Sequence, residues 1–224
     1  MLYTVMKRVV APTAKLVWRP TVEGLANIPR TGPVILAPNH LSFIDSIVIP
    51  VVVPRRVSFL AKAEYFEGTG VKGALSRYFF GALGHVPVRR GIGRAARASL
   101  DTAAEILAAG GAFAIYPEGT RSLDGHLHRG RTGVARMALE SGAPVVPVGL
   151  IGTDQVQPVD AKLPRIRPVT IRFGEPLDFS RYAGMHESLP VLRSVTDEIV
   201  YRILDLSGQD YVDRYQAGST DQAA

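Results

Sequence analysis

The stretch Asn39-His40-Leu41-Ser42-Phe43-Ile44-Asp45 places an imidazole and a carboxylate five residues apart, with one apolar run leading into His40 and another following Asp45. Histidine is the side chain whose ordinary pKa lets it accept a proton near neutral pH. A carboxylate bonded to one ring nitrogen fixes the tautomer and steadies the imidazolium, leaving the other nitrogen to act as a general base. On one continuous helix the two residues would lie about 140° apart and would not meet. They meet if His40 lies in a turn and Asp45 in the first helical turn. Ser42-x-x-Asp45 is also a helix-capping pattern, with Ser42 as cap and Asp45 reaching back to it. One local geometry serves both readings.

A second cluster is Tyr116-Pro117-Glu118-Gly119-Thr120-Arg121-Ser122. It offers a carboxylate, a residue without Cβ that lets a substrate approach the backbone, and a guanidinium whose fork suits a phosphate. Arg90 and Lys62 would add charge, and Asn39 and Thr120 further polar contacts. An Arg–Glu pair within a loop accounts for the same residues structurally. Two other patterns are weaker. Residues 91–96, Gly-Ile-Gly-Arg-Ala-Ala, match a dinucleotide-binding fingerprint, but Pro87 and Arg89-Arg90 crowd the strand before it. His126 and His128 would share one face of a strand with no third metal ligand nearby, and 123–133 reads as a mobile basic loop. The absence of cysteine removes disulfides, Cys-zinc sites and a thiol nucleophile. No Gly-x-Ser-x-Gly elbow is present.

These residues need elements that bring them together. Short apolar runs at 34–37, 57–61, 85–88, 112–115, 143–151 and 169–173 predict strands. They alternate with helical patterns at 43–53 (stopping at Pro54), 68–83, 94–109 (stopping at Gly110-Gly111), 132–141 (closed by Gly142) and from Ser188 onward. This predicts a single-domain α/β fold, a mostly parallel sheet covered by helices on both faces. Ligands gather at the carboxyl ends of such strands. His40, Lys62, Arg90 and Glu118 all follow predicted strands.

The 224 residues include 26 Lys and Arg against 20 Asp and Glu, a formal net charge of +6. That balance suits anionic lipid, phosphorylated substrates or nucleic acid. The nucleic-acid reading rests on charge alone, lacking a basic patch with interleaved aromatics. No run of 18 apolar residues reads as a spanning helix, and no signal peptide is evident. Residues 1–19 combine aliphatics at helical spacing with Lys7, Arg8, Lys15, Trp18 and Arg19. They read either as an amphipathic segment in a membrane interface or as a helix packed on the domain. The expected organisation is 1–19 as that segment, 20–215 as the main domain and 216–224 as a disordered tail.

Taken together, the motifs resemble those of the glycerolipid acyltransferase family, the lysophosphatidic acid and glycerol-3-phosphate acyltransferases. Asn39–Asp45 resembles its His-x4-Asp first motif, Gly84-His85-Val86-Pro87-Val88-Arg89-Arg90-Gly91 its second, Tyr116–Ser122 its Phe-Pro-Glu-Gly-Thr-Arg-Ser third, and the apolar strand 143–150 its fourth. The match covers roughly residues 20–177. The resemblance implies acyl transfer from a thioester, acyl-CoA or acyl-carrier protein, to the hydroxyl of a lysophospholipid such as lysophosphatidic acid. It implies His40 as base, Asp45 as its orienting partner, and an acceptor site of Arg90, Glu118, Gly119 and Arg121, with Lys62 where many members keep a lysine. No metal or redox cofactor is implied. The expected location is the cytoplasmic side of an anionic membrane surface, peripheral or monotopic. Arg89 departs from the family, standing where better-known members often carry Asp, which bears on the acceptor. Other acceptors (glycerol-3-phosphate, another lysophospholipid or a glycolipid) and a non-catalytic lipid-binding protein are the alternatives. The oxyanion donors are expected from the backbone N–H groups that open the helix after His40.

Overall fold

The computed structural model describes residues 7–8, 11–62, 64–82, 84–88, 94–159, 161 and 163–216. Arg89, Arg90, the glycines of the 91–96 fingerprint and the tail from 217 lie outside the described residues, as do 1–6 and 9–10.

Helix α1 (Ala11–Trp18) is followed by β1 (Thr21–Glu23), β2 (Val34–Pro38), α2 (Asp45–Val52), β3 (Val57–Lys62), α3 (Glu64–Glu67), α4 (Gly70–Ala82) and β4 (His85–Val88). Then come α5 (Arg94–Ala108), β5 (Ala112–Ala114), β6 (Leu127–His128), α6 (Gly133–Ser141), β7 (Val145–Ile151), α7 (Thr153–Val156), β8 (Thr170–Phe173), α8 (Leu189–Ser207) and β9 (Tyr211–Val212). The main sheet runs β1-β8-β7-β2-β5-β3-β4. From β7 to β4 every neighbouring pair is parallel, while β8 joins β7 antiparallel and β1 lies parallel to β8 at the edge. The fold class read from the sequence is therefore the one observed. β6 and β9 form a separate two-stranded ladder.

The central strands are apolar throughout because both faces are covered. All five residues of β2 are buried. On one face, Ala11, Ala14 and Trp18 of α1 and Ile44, Ile49 and Val52 around α2 pack on Leu36, Phe59 and Val148. On the other, α5, α6 and α8 pack on Ile35, Phe113 and Val145. Leu192, Val195, Ile199 and Ile203 of α8 are fully buried at helical spacing. Each is worth about 1.5–3 kcal/mol of burial. Ser188 precedes α8, and Gly208, at φ 69°, ends it in a left-handed turn that a residue with a Cβ resists.

Helix α2 is shorter at its start than the 43–53 pattern predicts. Its first residue is Asp45, because residues 41–44 are drawn into a loop by the Asp45 carboxylate. Pro50 lies within it, forgoing one intrahelical hydrogen bond. Near its C-terminal end, the Lys7 Nζ donates to the carbonyls of Val51 and Val53, a cation at the negative end of a helix. Burial first, then the neighbouring Lys15, lower the Lys7 pKa to about 8.

Candidate active site

β2 ends at Pro38, and the chain turns sharply over the carboxyl edge of the sheet. The turn is organised by Asp45, which is fully buried. Its Oδ2 accepts the backbone N–H groups of Leu41 and Ser42, each at 2.7 Å. The same oxygen lies 2.9 Å from His40 Nδ1. Three contacts on one carboxylate oxygen fix the loop and the ring together. With Nδ1–H donating to Asp45, the tautomer leaves Nε2 as an acceptor. Among the described residues Nε2 has no hydrogen-bond partner, and the His40 side chain is 12% exposed. Half of the expected capping box is present: Asp45 reaches back to the Ser42 N–H, but the Ser42 Oγ donates to the Gln157 carbonyl at 2.7 Å.

Tyr116, unremarked in the sequence beyond its motif, forms the floor under the base. Its ring stacks on His40 with centroids 3.8 Å apart and planes 14° apart. Its hydroxyl is 2.7 Å from Ser46 Oγ, in the first turn of α2. Rotation of the imidazole about its plane is thus blocked on one side by a ring and at its edge by a carboxylate. Alternation in β5 and its extension offered the signal: Tyr116 falls on the same face as Ala112 and Ala114, the face that packs with Leu36 of β2.

Glu118 departs from the expected acceptor contact. It is buried, and its two oxygens accept the backbone N–H groups of His40 at 3.1 Å and His128 at 3.0 Å. It braces the His40 turn from beneath. Burial pushes its pKa up to about 7, against the lowering effect of those two N–H bonds, and the nearby Asp45 and Asp124 add to the rise. Asn39 also departs from a substrate contact. Its side-chain amide accepts the Leu150 N–H at 2.7 Å and donates to the Leu150 carbonyl at 2.9 Å. It thereby continues the β2–β7 ladder one rung past the end of β2, and its Nδ2 also donates to Gln209 Oε1 at 2.7 Å. An amide carries both a donor and an acceptor, which is what an interrupted parallel ladder demands.

The N–H groups of Leu41 and Ser42, in the turn after His40, are taken by Asp45, and at the start of α2 the N–H of Asp45 donates to the Ser42 carbonyl and those of Ile47 and Val48 to the Ile44 carbonyl. Gly119 adopts φ 76°, a left-handed conformation, and a Cβ there would meet the Arg131 side chain at 2.8 Å. The Ser122 N–H donates to the His40 carbonyl at 2.8 Å, which ties the end of the 116–122 stretch to the His40 backbone. Among the described residues the backbone N–H groups of Thr120 and Arg121 have no acceptor, and the Arg121 side chain has no ion-pair partner. Lys62 ends β3 opposite Val88 at the same edge of the sheet. Arg90 lies outside the described residues.

The 123–133 stretch is a folded turn instead of a mobile loop. His128 Nε2 is 2.9 Å from Asp124 Oδ1, and His126 Nδ1 is 3.4 Å from Asp124 Oδ2. Partial burial opposes ionisation of Asp124, but bonds from His128, the His126 N–H and Ser122 outweigh it and hold the carboxyl well below its usual range. Gln209 ties the turn to Asn39 by donating to the Gly125 carbonyl at 2.7 Å. His85, by contrast, is buried against Phe59 and Phe80, and burial pushes its pKa down to about 4.

A cleft of about 520 Å³ opens beside Leu41, the residue after His40, bounded by the 122–125 turn, α7 and Pro158, Val159, Arg165 and Arg167.

The family model described as Acyltransferase matches residues 19–151 of this chain, which include His40, Asp45, Tyr116 and Glu118. The chain belongs to the acyltransferase family. It is 30% identical over 146 residues to a chloroplastic 1-acyl-sn-glycerol-3-phosphate acyltransferase of Brassica napus, covering 65% of this chain and 41% of that one. To the chloroplastic enzyme of the same name in Arabidopsis thaliana it is 31% identical, over 63% of this chain and 38% of that one. The chain thus spans about two fifths of the length of these curated relatives. Its fold is that of the 1-acyl-sn-glycerophosphate (LPA) acyltransferase PlsC from Thermotoga maritima. That crystal structure superposes with a TM-score of 0.64 at 26% identity, over 89% of this chain and 80% of that one. An acyltransferase-family chain therefore carries the His40–Asp45 pair at the carboxyl edge of its sheet.

Proposed function

We propose that this protein is an O-acyltransferase that moves a fatty acyl group from an acyl thioester, acyl-CoA or acyl-carrier protein, to the free hydroxyl of lysophosphatidic acid, giving phosphatidic acid. The observation that carries this reading is the open Nε2 of a His40 whose Nδ1 is held by buried Asp45, at the carboxyl edge of the sheet. Neutral His40 takes the proton of the acceptor hydroxyl as its oxygen bonds to the thioester carbonyl carbon. The tetrahedral intermediate then collapses, the carbon–sulfur bond breaks, and the thiolate takes the proton back from the imidazolium. The N–H groups of Thr120 and Arg121, without an acceptor among the described residues, are the donors assigned to the oxyanion. Glu118 and Asn39 act as positioning residues, through the backbone of His40 and through β7. Arg121, Arg90 and Lys62 supply positive charge for the acceptor phosphate. The relatives named as 1-acyl-sn-glycerol-3-phosphate acyltransferases support the choice of acceptor, and Arg89 favours testing glycerol-3-phosphate, other lysophospholipids and glycolipids beside it. The basic surplus suits an anionic membrane, with the protein bound peripherally on its cytoplasmic side. No helix among the described residues is long and apolar enough to cross a membrane.

The test is thiol release from palmitoyl-CoA with lysophosphatidic acid as acceptor. General base catalysis is worth about a hundred- to ten-thousand-fold, so His40→Ala is expected to abolish detectable transfer while its unfolding midpoint stays near that of the parent. A fully active His40→Ala protein overturns the assignment. Acceptor-independent binding of lipid with no turnover, across acyl-CoA and acyl-carrier-protein donors, favours the non-catalytic lipid-binding reading.

A further inference from the structure

The chain between α7 and β8 crosses the outer side of the cleft and carries two of the most exposed large apolar side chains, Leu163 at 79% and Ile166 at 72%. Helix α1 presents a second exposed pair, Leu16 at 70% and Val17 at 37%. The two are fastened together. The Trp18 indole N–H donates to the Arg165 carbonyl at 2.9 Å, across 147 residues of sequence. The Arg165 N–H in turn donates to the Val156 carbonyl at 2.7 Å, and Pro164 and Pro168 restrict the backbone on either side.

We propose that this joined surface, α1 together with the 163–167 chain, docks on an anionic lipid bilayer and forms the lip over which the acceptor passes from membrane to cleft. Isolated exposed apolar residues are common, so exposure alone decides nothing. Charge decides the occupant. Neither 11–20 nor 161–169 contains a carboxylate, while Lys15, Arg19, Arg165 and Arg167 are exposed among the apolar side chains. Aliphatics and a Trp interleaved with cations match the interface of an anionic membrane. The outer side of α8 shows what a water-facing surface looks like in this protein. There Arg193 pairs with Asp197, Arg181 with Glu198 and Arg202 with Asp205. Continuity with the site is direct, since Arg165, Arg167 and half-exposed Val159 line the same cleft as Leu41, the neighbour of His40. The surface rests on the proposed function only for what it delivers; its affinity for lipid is independent of turnover.

The rival apolar stripe is Val71, Leu75 and Tyr78 of α4, exposed at i, i+4 and i+7. The experiment sets one surface against the other in the full chain. Sedimentation with vesicles of phosphatidylcholine alone, and with one quarter phosphatidylglycerol, is compared for the parent, Leu163→Glu/Ile166→Glu and Val71→Glu/Leu75→Glu, with unfolding midpoints as a check on folding. The expected result is at least tenfold weaker partitioning of the Leu163→Glu/Ile166→Glu protein to the anionic vesicles, with an unchanged midpoint. Its turnover of a monomeric short-chain acceptor should persist, while turnover of a vesicle-embedded long-chain acceptor falls. Partitioning unchanged by Leu163→Glu/Ile166→Glu, loss confined to the α4 variant, or equal binding of the parent to neutral and anionic vesicles overturns the proposal. Vesicle results as expected, with no transferase activity in any variant, leave the docking surface standing and remove the proposed function.

Discussion

Glu118→Gln separates what this buried residue does for stability from what it does for His40. With a folded pKa of about 7 against an ordinary 4.5, the native state holds the Glu118 proton more tightly than the unfolded chain does. The stabilisation is fully present below pH 4.5 and is lost as pH rises through 7. At 1.36 kcal/mol per pH unit the loss is about 3 kcal/mol. Glutamine has the shape of the protonated acid and cannot ionise. The variant should therefore match the parent near pH 4.5 and exceed it by up to about 3 kcal/mol at pH 8. Denaturant unfolding of both proteins across that range measures the difference, in which every other carboxylate cancels. Catalysis should move the opposite way. The ionised carboxylate accepts from both His40 and His128 backbones, whereas the amide turns an NH2 group on one of them and loosens the turn that carries the base. At pH 8 kcat should fall tenfold or more in the stabler protein. A variant less stable than the parent at pH 8, or a difference constant with pH, refutes the argument: the two N–H bonds would then outweigh burial.

Asp45→Asn keeps the size of the side chain but removes the charge that three N–H groups share, and kcat should fall by about 10²–10⁴ in the thioester assay with KM little changed. Asn39→Ala orphans both polar groups of Leu150, at about 1–3 kcal/mol for each, so chemical denaturation should show a loss of about 2–6 kcal/mol. Tyr116→Phe retains the stack on His40 and gives up the bond to Ser46, about 1 kcal/mol; turnover within threefold of the parent is expected, against a clear drop in kcat for Tyr116→Ala.

The strand–helix alternation was legible because each buried strand is a continuous apolar run and each helix ends at a glycine or proline. The His40–Asp45 pair was legible for a geometric reason: residues five apart meet only across a turn-to-helix junction, and the flanking patterns supplied one. Glu118 and Asn39 were singled out, but their partners could not be foreseen. The backbones of His128 and Leu150 lie 10 and 111 residues away, and a polar side chain reads alike whether it meets a ligand or an interrupted ladder. The antiparallel β8, which brings β1 to the sheet edge, left no mark in the patterns of 21–23 or 170–173. The folded 122–128 turn was misread because Asp124, the group that gathers both imidazoles, is one acidic residue in a basic stretch.

The placement of β1 sets an order of assembly. Its hydrogen bonds go to β8, and the Trp18 indole binds Arg165, so the bonds that fix β1 and the Trp18 ring are made about 150 residues later. At about 5–20 residues per second of synthesis, β1 and the Trp18 indole wait on the order of ten seconds or more for those partners, although α2 is made well before them. During that interval the exposed Leu16 and Val17 of α1 can meet lipid before the domain that it serves has closed.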